Sequence, residues 1–217
     1  EERVKGLAHH NLIMIDWGDA MKPETPLNLL KVEGAPSNGN ILTMNTENNL
    51  LMVGGVLHYS QIVDGPLGRA NTGSNLLGLS FYNPLSTRLQ NYGGGLKQGT
   101  VGGTVRSVAV YGSRLVVGGT FDKANDVEHA KNIAEFKNGN WKTFSNGIED
   151  TVYDVDIDHL GRVIVAGSFL ASGCKTMKRL SVWEGGRIWM QIPSGIDNTI
   201  NDIKVLPSPL AISVVPA

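Results

Sequence analysis

The chain has one cysteine among its 217 residues, so no internal disulfide can hold its fold together. Charged residues make up only 18% of the sequence, below the roughly 25% of typical globular domains, and the formal net charge is −1. A chain with this balance lacks the positive field that gathers phosphate groups, and we expect no nucleic-acid partner. No apolar run reaches the roughly 18 residues of a membrane-spanning helix, so we expect no membrane insertion by this segment.

Histidine and cysteine also lack the spacings of a metal or nucleophile site. The five histidines are scattered, and the adjacent pair His9 and His10 would point to opposite sides of an extended chain. Cys174 lies in a Ser-Gly-Cys-Lys segment without the context of a nucleophile, and no Gly-x-Ser-x-Gly or phosphate-binding motif occurs. We therefore predict no catalytic residue, no metal and no cofactor.

Glycine, in contrast, is abundant: 27 of the 217 residues exceed the usual share of roughly 7% and indicate many tight turns. The glycines belong to a repeat of about 47 residues. Residues 105–110 (VRSVAV) align with 152–157 (VYDVDI), and 115–121 (LVVGGTF) align with 163–169 (VIVAGSF). Later in the same two copies, Trp141 matches Trp189, and residues 147–148 match residues 195–196.

A looser copy of the unit precedes these two. Its matching segments are 41–46, 51–55, 75–80, Leu89 and 95–96, with Asn75 aligned to Asn132. Residues 11–16 resemble 132–137, and residues 200–205 restart the cycle. We therefore divide a single domain, 1–217, into five parts: a half unit 10–34, complete units 41–96, 105–148 and 152–196, and a half unit 200–215.

Each complete unit holds four short alternating or apolar runs, the pattern of β-strands. For the unit 105–148 we predict strands at 105–111, 114–120, 132–137 and 141–145, with a hairpin turn at Asn138-Gly139. Four antiparallel strands per 40 to 50 residues are typical of a propeller blade. We predict an all-β fold, a β-propeller of four-stranded antiparallel blades, with about four blades or as a fragment of a larger propeller. A closed four-blade ring requires residues 200–215 to pair beside 10–34.

Two kinds of recurring residue have a structural interpretation. The glycine pairs 54–55 and 118–119, replaced by Ala166-Gly167 in the last complete unit, allow close approach of two backbones. The recurring aromatic rings are expected to fill the spaces between adjacent sheets. They are Phe121, Phe136, Trp141, Phe169, Trp183 and Trp189.

The run Val-Gly-Gly-Thr-Phe121, then Asn-Ile-Ala-Glu-Phe136, Asn-Gly-Asn-Trp141 and Asn-Gly-Ile148 resembles the kelch-like propeller repeat of secreted and cell-surface proteins, notably the fungal cortical polarity-marker family and similar bacterial surface repeats. The resemblance is good over 105–196 and loose over 41–96. It implies an extracellular or cell-surface propeller that acts as a landmark or adhesion platform without catalysis. The residues themselves leave the compartment open, since a chain without disulfides also suits the cytoplasm.

Asp154, Asp156 and Asp158 alternate along one predicted strand. Three carboxylates on one face suggest a bound cation or acid–base chemistry. The alternative is structural: Asp158 starts a turn, and the other two lie on a mostly polar face of first strands that would line a solvated channel. The residues aligned with them are Thr43 and Asn45, Ser107 and Ala109, and Asp202 and Lys204. We favour the structural interpretation and assign no metal, and a cation at the three aspartates stays the open alternative.

The insertion between residues 58 and 74 is the most distinctive loop, and loops on a rigid scaffold commonly bind partners. With the equivalent loops 122–131 and 170–178, it supplies the predicted partner-binding residues His58, Tyr59, Gln61, Asp64, Arg69, Lys123 and Lys175. We predict a non-catalytic scaffold, structural or protein-binding, with a protein partner. The alternative is a carbohydrate-binding or glycoside-processing propeller, in which Trp17, Trp141, Trp183 and Trp189 would stack on sugars if they are exposed.

Overall fold

A computed structural model shows an all-β protein built from antiparallel sheets. The structure describes residues 14–16, 28–30, 38–47, 50–58, 62–65, 68–71, 77–83, 88–172, 175–185, 188–192, 197–206 and 212–216. None of these residues is helical, and accordingly none belongs to a helix that could cross a bilayer.

The strands, in chain order, are β1 (Met14–Asp16), β2 (Asn28–Leu30), β3 (Asn38–Glu47), β4 (Leu50–His58), β5 (Ile62–Gly65), β6 (Gly68–Asn71), β7 (Leu79–Asn83), β8 (Arg88–Asn91), β9 (Leu96–Gln98), β10 (Val101–Gly102), β11 (Thr104–Tyr111), β12 (Arg114–Thr120), β13 (Lys123–Ala124), β14 (Ile133–Lys137), β15 (Asn140–Thr143), β16 (Val152–Ile157), β17 (Val163–Gly167), β18 (Ala171–Ser172), β19 (Lys175–Thr176), β20 (Leu180–Trp183), β21 (Trp189–Gln191), β22 (Ile200–Val205) and β23 (Ile212–Pro216).

Three four-stranded antiparallel units account for most of these strands. Unit A contains β3, β4, β7 and β8; unit B contains β11, β12, β14 and β15; unit C contains β16, β17, β20 and β21. Within each unit the strands pair in chain order. The pair Thr104 and Val56 joins units A and B into one larger sheet. The four strands predicted for unit B are confirmed to within two residues at each end.

The first two strands of every repeat share one irregularity. The register shifts at the same aligned place in all four pairs: between Ile41 and Thr43, Val105 and Ser107, Val152 and Asp154, and Ile200 and Asp202. Beside this bulge, a Cβ on Gly119 would lie 2.0 Å from the carbonyl oxygen of Thr104. Gly55 and Gly167 meet the same obstacle at 2.0 and 2.2 Å. The second glycine of the pair is therefore required by close backbone approach.

The residue before the third strand has a positive φ in each unit. It is Gly78 (+75°), Asn132 (+61°) and Arg179 (+59°), and its carbonyl accepts a hydrogen bond from the second glycine of the pair. The alignment of Asn75 with Asn132 is therefore wrong by three residues, because Gly78 holds that position in unit A. Asparagine and glycine both tolerate the left-handed region, so the residue type could change while the backbone conformation stayed the same.

Hydrophobic side chains fill the spaces between adjacent units, as predicted. Phe121, Phe169, Trp141 and Trp189 are buried, and Phe136 and Trp183 are half-buried and packed against the same clusters. Each fully buried large apolar side chain contributes roughly 1.5 to 3 kcal/mol relative to an exposed one. Leu57, 1% exposed, fills the phenylalanine position in unit A.

Units B and C pack through the glycine position itself. A Cβ on Gly118 would lie 2.6 Å from Cγ1 of Val152 and 2.8 Å from Cγ1 of Val155, so the first strand of unit C rests directly on the second strand of unit B. Unit C has Ala166 at the position of Gly118. Ala166 belongs to a smaller hydrophobic cluster with Ile200 and Ile203, which is consistent with a side chain being tolerated there.

The two ends of the array are separate hairpins. β1 pairs with β2 to form the N-terminal hairpin, and β22 pairs with β23 to form the C-terminal hairpin. Among the described strands the two hairpins do not pair with each other, so the condition for a closed four-blade ring is not met there. The side chain of Met44, in the first strand of unit A, is 58% exposed. The side chains at the equivalent positions of units B and C, Val108 and Val155, are 6% and 4% exposed.

Candidate functional site

The first strands of the repeats lie side by side and line a polar cavity. Strands β3, β11, β16 and β22 contact one another in that order. The cavity has a volume of about 300 Å³, and its polar lining consists of Asn45, Ser107, Asp154, Asp156, Asp202 and Lys204. These residues occupy two aligned positions in successive repeats, which explains why polar groups of units A, B and C and of the C-terminal hairpin meet at one place.

Side chains on the first strand of one repeat form hydrogen bonds with the backbone of the first strand in the next repeat. Asn45 Nδ2 donates to the carbonyl oxygen of Val108 at 2.9 Å, which links unit A to unit B. Asp156 Oδ2 accepts from the backbone N–H of Val205 at 2.9 Å and from Lys204 Nζ at 3.0 Å, which links unit C to the C-terminal hairpin. The strands thus stay aligned without pairing directly, because side-chain oxygens and amides replace the missing ladder bonds.

Asp154 makes the most extensive connection. Its Oδ1 accepts from Ser107 Oγ of unit B at 2.5 Å and from the N–H of Val155 at 2.8 Å, and its Oδ2 accepts from the N–H of Ile203 at 2.8 Å. The pKa of Asp154 is raised to about 6: burial is the largest cause and the hydrogen bond with the carboxyl of Asp202 adds to it, while the hydrogen bonds from Ser107 and the amides of Ile203 and Val155 oppose both. A carboxyl that titrates near neutral pH in a cavity is the chemically most distinctive group of the site.

Asp158 does not join this group. It begins the turn after β16, as predicted, where Oδ1 accepts from the N–H groups of Leu160 and Arg162, both at 2.9 Å, and Oδ2 accepts from Arg162 Nε at 2.6 Å. Burial raises its pKa, but the hydrogen bonds from Arg162 and the two amides outweigh that effect and lower the pKa below its ordinary value. The three aspartates are therefore separated into a turn residue and two cavity residues.

Metal ligands are not assembled in this part of the chain. Across the described segments, no group of three or more His, Cys, Asp or Glu side chains is placed to hold a metal ion. Asp156 is instead neutralised by Lys204, and Asp158 by Arg162. The carboxylate oxygens that suggested a cation site thus accept hydrogen bonds from donors of the protein itself.

The predicted partner-binding residues of the long insertion are only partly described. His58 is the last residue of β4, and Asp64 and Arg69 pair with each other across the β5–β6 hairpin. Tyr59 and Gln61 lie outside the described residues. The insertion therefore places at least part of the predicted set on a hairpin between the second and third strands of unit A.

The predicted residues of the two other loops are both accessible. Lys123, in β13, forms an ion pair with Glu128 at 2.5 Å within its own loop, and this hydrogen bond raises the pKa of the lysine. Lys175, the first residue of β19, is exposed. The structure brings neither residue into the cavity: both belong to the loop end of the sheets.

The tryptophans give little surface for sugar stacking. Trp141 is 7% exposed and Trp189 is 2% exposed, and the ring of Trp183 lies 5.2 Å from that of Trp189. Trp17 lies outside the described residues. Among the three described tryptophans, ring faces are used for packing between units.

Sequence reasoning singled out Asp154 and Asp156 but did not assign roles to Asn45, Ser107 and Asp202. The signal was present, since the repeat alignment places polar residues at both positions in every repeat except for Ala109 in unit B. The alignment does not contain the relative shift of neighbouring units along their strands. That shift determines which carboxylate accepts a hydrogen bond from which backbone amide.

Comparison with protein-family models finds no model that matches the chain, and comparison with curated proteins finds no matching sequence.

Proposed function

We propose that the chain is a β-propeller, or part of one, that acts as a non-catalytic scaffold and binds a protein partner through the loops after the second strand of each unit. The sheets supply a rigid frame and the loops supply variable contact surface. A location at a cell surface accords with the resemblance to kelch-like repeats.

One observation carries this proposal: the sheets repeat closely, whereas the loops after the second strand differ in every unit. Unit A inserts the β5–β6 hairpin, unit B inserts β13, which pairs with β9, and unit C inserts the β18–β19 hairpin. Loops that vary on a repeated frame are the arrangement of a binding surface.

These loops share one end of the sheets. The second strands run in equivalent directions in the three units, so the loops that follow them lie at the same end of the sheets. The connections between units lie at that end too, because second and fourth strands of an antiparallel sheet run in the same direction. Exposed apolar side chains occur there: Val101, 57% exposed, lies in the connection between units A and B, and Leu170, 53% exposed, lies in the same unit C loop as the exposed Lys175. Apolar contacts bordered by charge are typical of protein interfaces.

Site-specific photocrosslinking in cells of the natural host tests the proposal. A benzophenone amino acid at Leu170 or Lys175 should give adducts with one and the same protein. The matched control places it at Asn138, in the hairpin turn at the other end of unit B. Equal labelling from both ends, or adducts from neither loop position, would contradict the proposed surface.

A further inference from the structure

One carboxyl group connects three consecutive strands at the cavity. Asp154 of β16 accepts a hydrogen bond from Ser107 Oγ of β11 and another from the N–H of Ile203 in β22. The second bond helps to hold the C-terminal hairpin, whose other described links to unit C include the Asp156 contacts to Lys204 and Val205. The charge state of Asp154 therefore bears directly on how this hairpin is attached.

Among the described residues, the charged groups around Asp154 leave it without a cation of its own. From β22, the carboxyl of Asp202 lines the same cavity as that of Asp154 and forms a hydrogen bond with it, and Lys204 is engaged by Asp156 of β16 at 3.0 Å. From β11, the guanidinium of Arg106 lies 4.6 Å above the ring of Tyr153.

Of the remaining neighbouring strands, β12 carries Arg114, which is paired with Glu135, and the others contribute uncharged groups. Strand β3 contributes the amide side chain of Asn45 to the cavity, and β17 pairs Ala166 with Asp154. Two carboxyls thus face each other at the junction of β16 and β22 with no described cation between them.

We propose that Asp154 and Asp202 form a proton-dependent clasp between unit C and the C-terminal hairpin. With one proton between them, the two carboxyls share a hydrogen bond and the hairpin is held. When that proton leaves, two like charges face each other in the cavity and the hairpin loosens, so the solvent reaches the backbone of β22 more often. The device makes the attachment of one repeat to the next depend on pH in the mildly acidic range.

The direction follows from the titration of Asp154. Its pKa is raised from 3.8 to about 6 in the folded chain, so folding favours the protonated carboxyl. The contribution to attachment is fully present at pH values below the ordinary pKa and is lost as the pH rises through about 6. A group with the ordinary pKa would already be ionised throughout this range.

Nuclear magnetic resonance on the unmodified chain tests the clasp. The side-chain carboxyl carbon of Asp154 should titrate near pH 6. Amide protection of Ile203 and Val205, corrected for intrinsic exchange, should fall about tenfold between about pH 5 and about pH 7.5. The amide of Phe121, which donates to Asn132 Oδ1 within unit B, should keep its protection and serves as the internal reference.

Two variants separate the clasp from a general effect of pH. Asp202→Asn removes the facing charge from an exposed side chain, so the fall in β22 protection should disappear. Asp156→Asn removes a carboxylate of the same strand that already has a lysine partner, and the fall should persist. Titration of Asp154 below about pH 4.5, unchanged β22 protection in the unmodified chain, or a persistent fall in Asp202→Asn would overturn the proposal.

Discussion

Trp141 donates its indole N–H to the carbonyl oxygen of Gly93 at 2.7 Å. The bond joins the outermost strand of unit B to the segment that follows the outermost strand of unit A. Trp189 holds the equivalent position in unit C, but its buried indole N–H has no acceptor within the described residues. Two tryptophans in equivalent places therefore contribute to stability by different means.

This difference predicts unequal costs for the same substitution. Trp141→Phe and Trp189→Phe each remove a similar volume of buried ring, but only the first also leaves the Gly93 carbonyl without its donor. We expect Trp141→Phe to lower the free energy of unfolding by about 1 kcal/mol more than Trp189→Phe. Urea unfolding followed by fluorescence or circular dichroism measures both. Equal losses would show that the bond to Gly93 has no net effect on stability.

The pH dependence of the turn at Asp158 has the opposite sign from that of Asp154. The pKa of Asp158 is lowered, so its contribution to stability is present above its ordinary pKa of 3.8 and is lost as the pH falls through the lower folded value. Asp158→Asn should therefore destabilise the chain by about 1.5 to 3 kcal/mol at neutral pH, the range for hydrogen bonds to a charged group.

The difference between the unmodified chain and Asp158→Asn should shrink as the pH falls below the ordinary pKa of 3.8 and through the lower folded value, because the native carboxyl then loses its own charge. Urea unfolding at neutral and acidic pH gives the comparison. Asp150→Asn is a suitable control, since that exposed carboxylate accepts from the N–H of Thr151 next to it. A constant deficit at all pH values would mean that the charge of Asp158 is not responsible.

Local signals explain how much of this fold was predictable. The strands of unit B follow from alternation and from the Asn138-Gly139 turn, where both residues have positive φ as the turn requires. Burial of Phe121 and Phe169 follows from their place in the repeat. All of these depend on residues close in sequence or on simple recurrence.

Other features depend on how units are placed in space, and the sequence did not predict them. Strands β13, β18 and β19 have only two residues each, which is too short for a periodic sequence pattern. The bond from Ser107 to Asp154 requires the offset between units B and C, which no single repeat encodes. The position of Gly78 was missed because a left-handed backbone admits either glycine or asparagine.

The second glycine of each pair should resist substitution more strongly than glycines in turns. A Cβ on Gly119 would lie 2.0 Å from the Thr104 carbonyl oxygen, and backbone cannot move aside as a side chain can. We expect Gly119→Ala to cost at least about 2 kcal/mol. Gly112→Ala is the control: its φ of +57° strains alanine by about 1 kcal/mol, but nothing lies within 4 Å. Thermal unfolding of the two variants measures the difference. An equal loss of stability would mean that backbone conformation alone, and not the contact with the Thr104 carbonyl, explains the effect of Gly119→Ala.

The phenylalanine position between units should accept leucine, because unit A already carries Leu57 there at 1% exposure. Phe121→Leu keeps most of the buried apolar surface and should cost about 1 kcal/mol, whereas Phe121→Ala leaves a cavity and should cost about 3 to 5 kcal/mol. The reciprocal variant Leu57→Phe tests whether unit A has room for the ring, and overpacking predicts a loss of about 1 to 3 kcal/mol. Denaturant unfolding of the three variants ranks them. If Phe121→Leu proved as costly as Phe121→Ala, the two positions would not be equivalent and the packing repeat would not extend from unit B to unit A.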